Sequence, residues 1–213
     1  MSEAKALRHQ HLSVLLPAPI VGGIAGVLAY YYALLTVRLP SGAGTPFALA
    51  LAGAAGVVIV AAVIVCLRRM EVLRRLASGQ LRDGKPNLQR AVREVLAIPD
   101  LLFWISLGGW LLTALVVAGS LRLWLGPSFT WDSAWRILLV GVHFGPIASL
   151  LSHALVTLRA RRAVRNICDC GLSPKDLISA APPQRSQLRG RLVAFTAICV
   201  IVPAVLTADL SST

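Results

Sequence analysis

The sequence predicts an all-α integral membrane protein of about five transmembrane helices, arranged as outward hairpins and joined by amphipathic cytoplasmic helices. Three observations lead there. Hydrophobic side chains make up 56% of the 213 residues and charged ones only 14%, with a mean hydropathy of +0.73, a balance foreign to a soluble domain. Five windows approach or exceed the roughly 20 apolar residues needed to cross about 30 Å of hydrocarbon. The basic residues crowd into the segments that would lie on one side of those windows.

The windows run from Leu12 to Val37, Pro46 to Leu67, Leu101 to Leu121, Ile137 to Leu158 and Leu192 to Ala208. They divide the chain into an amino-terminal segment (1–11), a first hairpin (12–67), a basic helical loop (68–100), a second hairpin (101–158), a second basic loop (159–191), a fifth helix (192–208) and a short outer tail (209–213). The first window is too long for the apolar part of a cleaved signal, and "YYYALLTVRLP" at its end lacks a small-residue cleavage site. It is expected to remain as a helix. Because lysine and arginine near helix ends are retained in the cytoplasm, 18 basic residues on one side against Arg38, Arg122 and Arg136 on the other place the amino terminus inside. A bacterial inner membrane is the expected location. The net charge of +12 sits close to helix ends rather than on a separate face, so anionic lipid headgroups, and not nucleic acid, are the expected partner.

The two inner segments resemble each other at a separation of 91 to 92 residues: Leu67-Arg68 matches Leu158-Arg159, Arg74 matches Arg165, and Gly79 matches Gly171 after one slip. Each unit reads as an outward hairpin, an inner helix running on for about three turns, a glycine stop and a basic approach to the next span. The second unit ends early, which leads to the expectation that the chain is the front part of something longer; a complete five-helix protein is the alternative. In the first inner loop, Val72, Leu73 and Leu76 form one apolar edge, and Leu88, Val92, Val95 and Leu96 form another after Pro86. With Arg74, Arg75, Gly79, Arg165 and Gly171, these helices read either as a coupling element between membrane and cytoplasm or as an amphipathic pair resting on headgroups.

Within the spans, Gly22 with Gly26, and Gly141 with Gly145, have the small-xxx-small spacing that lets helix backbones approach. They point to helix packing or to a homodimer or membrane complex, and not to chemistry. The stretch "GVHFGPIASLLSHAL" puts His143 about two turns inside the membrane and Pro146 where it should bend the helix and free a carbonyl. His143, Pro146 and Trp110 are therefore candidates for ligand sensing, against the simpler reading of His143 as a neutral imidazole bonded to a neighbouring helix. His153 falls near the inner end. Tyr30, Tyr31, Tyr32, Trp104, Trp124, Trp131 and Trp135 read as interface anchors.

Cys66, Cys168 and Cys170 lie on or near the inner side and Cys199 in the fifth window, a pattern without a disulfide framework or a zinc-site spacing. No metal or other cofactor is expected. The sequence contains no HExxH, P-loop, GxGxxG or nucleophile elbow, so no catalytic residue is assigned. No acid falls in the middle of a span, where a proton- or cation-coupled transporter would usually need one.

In layout the chain resembles the multi-helix membrane input regions of bacterial class III adenylate/guanylate cyclases and of HAMP-linked sensor proteins. The likeness rests on the paired hairpins, the inner segments "LRR...LRRLASG" and "LRARRAVRNICDCG", and the entry "AIPDLLFWISLGGW". It implies a membrane-embedded sensory module that relays helix rearrangement to a cytoplasmic output, commonly as a dimer. The alternative is a self-contained small polytopic protein acting as a permease subunit or scaffold.

Overall fold

A computed structural model of the chain describes residues 10–37, 39–78, 84–169, 172–173 and 204. The fifth window apart from residue 204, most of the second basic loop, Gly79 and Gly171 lie outside the described residues. Among those described, no strand forms and four helices are long and apolar enough to cross a membrane.

The first window holds α1 (Gln10–Leu15) and α2 (Pro17–Thr36), joined through Leu16 in helical conformation, and Ser13–Thr36 makes one candidate span as expected. Pro17 interrupts only the hydrogen-bond ladder: it has no N–H to bond back into α1, while its fixed φ suits a first helical position. After α2 the chain turns at Val37, which is extended, and at Gly42, whose φ of 83° lies in the left-handed region open to glycine. Helix α3 (Gly44–Arg69) follows, with Arg68 and Arg69 beside its carbonyl end, where cations are favoured. Met70 bends the chain into a short α4 (Glu71–Ala77), so the inner continuation of the second span is a separate helix.

Helix α5 (Lys85–Leu125) joins the amphipathic segment and the third span in one rod of 41 residues, about 60 Å long. The helix continues through the "IPD" sequence with Pro99 buried inside it. Gly126, with φ 58°, stops α5; its N–H donates to the Arg122 carbonyl, and a 3₁₀ turn (Gly126–Ser128) reverses the chain. Thr130 then caps α6 (Trp131–Asp169), its Oγ1 accepting the Ser133 N–H at 3.2 Å. The 39 residues of α6 continue through Pro146 without a break in the helix.

Helices α5 and α6 form the antiparallel spine. Helix α2 packs along α6 through the small stripe Val21, Ala25, Ala29 and Ala33, while α3 lies along α5. Helices α2 and α3 meet where the Tyr30 and Phe47 rings stack at 5.4 Å. Much apolar surface faces outward: Val57 is 72% exposed, and Ile24, Leu35, Leu49 and Val60 are also exposed. A face of that kind is stable against lipid, not water.

Two apolar clusters hold the ends. At the end bearing Tyr30 and Trp131, Phe47, Leu121, Phe129 and Ile137 are buried together. At the basic end, the two apolar edges of the inner loop turn toward each other: Leu73 and Leu76 pack with Leu88, Val92 and Val95 and with Val156, Ala160, Ala163 and Ile167 of α6. That end is a packed bundle in its own right.

The spine depends on close backbone approach. A Cβ at Gly141 would lie 2.6 Å from the Ala114 Cβ, and one at Gly145 would lie 2.9 Å from the Trp110 Cβ. We expect Gly141→Ala to destabilise the fold by roughly 1–3 kcal/mol through overpacking, and Gly119→Ala, with open space around it, to be nearly neutral. Reversible unfolding in mixed detergent micelles measures both; equal stability of the two variants would contradict the packing described.

Candidate functional site

Between their contact at Tyr30 and Phe47 and the basic end, α2 and α3 leave a lateral groove of about 90 Å³ with α5 as its floor. Its walls are apolar, from Gly22 and Gly26 on one side to Val58, Ile59 and Ala62 on the other; Ser106, Gly109, Trp110 and Thr113 form the floor. The glycines shape it by what they lack. No atom stands within 4 Å of the position a Cβ would take at Gly22 or Gly26, so the spacing that suggested helix contact here opens space. At Gly109 the reverse holds, because a Cβ would lie 2.4 Å from a Val58 methyl and force that side chain to shift.

The floor is tied to α6 by a short polar chain. Ser149 Oγ lies 2.7 Å from the Gly145 carbonyl oxygen and 3.0 Å from Ser106 Oγ. The Ser149 hydroxyl is the donor toward both oxygens, and its single hydrogen serves one of the two acceptors at a time. Trp110 sits between the groove and a smaller apolar void of about 20 Å³ bordered by Ala33, Val117 and Gly141, with its ring base against Gly145. A change in the groove therefore meets the α5–α6 contact directly.

The three residues proposed for sensing do not form one constellation. Trp110 is in the groove floor, and Pro146 is buried in α6 one position beyond Gly145. His143 lies outside the groove lining and stacks with Tyr32 of α2, ring centroids 6.2 Å apart and planes within 22°. Its Nδ1 is buried with no hydrogen-bond partner among the described residues.

Two polar links escaped the sequence reading. His153 Nε2 lies 3.1 Å from Asp100 Oδ1, joining α6 to α5 toward the basic end. The signal was available: Asp100 and His153 stand at nearly equal distances along the chain from the Gly126 turn. At the other end, Arg136 is only 3% exposed, with its Nε 2.9 Å from Asp132 and its Nη1 3.5 Å from the Thr36 carbonyl. Arg122 donates to the carbonyls of Gly126 and Phe129 and lies 5.6 Å from the Trp131 ring. These two arginines, read from the sequence only as the minority charge, knit the turn.

Of the coupling residues, Arg74 and Arg75 both pair with Glu71 at 2.8 Å. The Arg75 hydrogen bond, with Arg74 beside it, holds the Glu71 carboxyl below the usual carboxylate range. Arg165 is exposed on α6. No group of three histidine, cysteine, aspartate or glutamate side chains comes together among the described residues.

A scan against protein-family models finds no match, and searches of curated proteins and of solved structures find none either. The class supported by the fold is thus the coarse one, a helical integral membrane protein.

A double-mutant cycle on Asp100→Ala and His153→Ala is expected to give a coupling of about 0.5–1.5 kcal/mol in micellar unfolding. Additive single effects would mean that the contact contributes nothing to joining the two helices.

Proposed function

We propose that the chain is a membrane-embedded input module, in which an apolar molecule or lipid chain in the groove between α2 and α3 alters the packing of α5 against α6. The observation that carries this reading is helix continuity. Helices α5 and α6 run without a break from the groove and the Gly141–Gly145 contact into the packed bundle at the basic end. A helix is stiff along its axis, so a shift at Trp110 reaches Leu88 and Ile167 as a movement of whole rods rather than being lost in a loop.

The resemblance to the input regions of class III cyclases and HAMP-linked sensors supports a signalling output on the basic side, which the charge asymmetry assigns to the cytoplasm. A membrane scaffold or permease subunit is the second reading. It is favoured by the open space around Gly53 and Gly56 on the largely exposed α3, a surface suited to a partner's helix.

The test fills the groove from within. With the native cysteines replaced, spin labels at Arg93→Cys and Arg165→Cys, both exposed, report the separation of α5 and α6 at the basic end. Gly22→Leu combined with Gly26→Leu is expected to move that separation by about 1–2 Å, the scale of helix shifts in switching proteins. An unchanged distance in a normally inserted protein would remove the input reading, and loss of a co-purifying membrane partner in the same variant would favour the scaffold.

A further inference from the structure

The basic end holds a second concavity, separate from the groove, and we infer that it seats the headgroup of an anionic phospholipid. The cleft measures about 740 Å³ and lies between the end of α3, α4 and the beginning of α5. Its rim carries Arg68, Arg69, Arg75, Arg90 and Arg93 against only Glu71 and Glu94.

Both acids are already engaged. Glu71 accepts Arg74 and Arg75, while Glu94 Oε2 accepts the Val72 N–H at 3.0 Å and its other oxygen lies 3.7 Å from Arg90. Arg68, Arg69 and Arg93 have no carboxylate partner among the described residues. Three unneutralised guanidiniums around one cleft present forked donors that match phosphate oxygens.

The floor selects a lipid over a dissolved anion. Ala97 and Leu101, neither of them buried, line the same cleft above the core residues Val72 and Ile98, and Leu101 is the residue at which the apolar third window begins. A phospholipid at that level places its phosphate among the arginines and its glycerol and first methylenes on Ala97 and Leu101. A soluble phosphate has nothing to gain from that apolar floor. The comparison within the molecule is Arg159, Arg161 and Arg162, equally basic and equally exposed but on α6 and outside the cleft.

The full chain in detergent, titrated with phosphatidylglycerol or phosphatidylcholine of equal chain length and read by native mass spectrometry, tests this. The wild type is expected to retain phosphatidylglycerol about tenfold better. Arg68→Gln, Arg69→Gln and Arg93→Gln together should abolish that preference, whereas Arg159→Gln, Arg161→Gln and Arg162→Gln together should keep it. Ala97→Trp, an exposed lining position, should also abolish it by obstructing the cleft with every charge intact, so the inference does not rest on the folding of the arginine triple. Equal losses in the two triples, or full retention in Ala97→Trp, would overturn the site in favour of diffuse attraction. Displacement of the lipid by an equal concentration of glycerol 3-phosphate or inorganic phosphate would overturn it in favour of a soluble anion.

Discussion

The distance between the α5 and α6 backbones where Gly141 and Gly145 face Ala114 and Trp110 governs the rest of the molecule. Lipid offers no hydrophobic force to draw two apolar helices together, so association rests on contact at short range and on a few hydrogen bonds. Here the contact is as close as glycine allows, and the Ser106–Ser149–Gly145 chain fastens it. Helix α2 is carried by α6 and α3 by α5, which makes the angle between the central pair the determinant of how wide the groove stands. The same contact thus bears on stability and on the shape of the candidate site.

The spans are legible in the sequence because hydrocarbon thickness fixes their length, and the apolar edges of the inner loop because helical periodicity does. Spacing alone does not say what a small residue faces. Gly22 and Gly26 repeat the pattern of Gly141 and Gly145, yet one pair borders open space and the other a packed backbone. Proline is equally ambiguous: Pro17 opens α2, whereas Pro99 and Pro146 sit buried inside long helices. The difference lies in surrounding contacts that compensate a missing donor, and these are tertiary. Likewise the groove is made by the divergence of two helices that are neighbours in sequence, a feature no single segment encodes.

The basic end changes meaning once its packing is seen. Read along the chain, its apolar edges suit either headgroups or each other; in the fold Leu73, Leu76, Leu88, Val92 and Val95 are buried against α6, leaving the arginines at the rim. Burial on the inside and charge on the outside give this end both a core and a polar surface. The cationic surface is therefore held by a defined scaffold rather than by a loop, which is the condition for a shaped anion site in place of a diffuse one.

At the opposite end, Gly126, the Arg122 bonds and the Thr130 cap clamp α5 and α6 together across a few residues. A pair of rods fixed at one tip behaves as tongs with a distant grip. The far ends are packed on each other as well, so the opening available is small: a change of about 1.5° over roughly 60 Å of helix displaces them by about 1.5 Å. The tightness of the small turn thus sets a lever arm: under the input role proposed above, adjustments within van der Waals range near Trp110 reach the basic end enlarged in proportion to helix length.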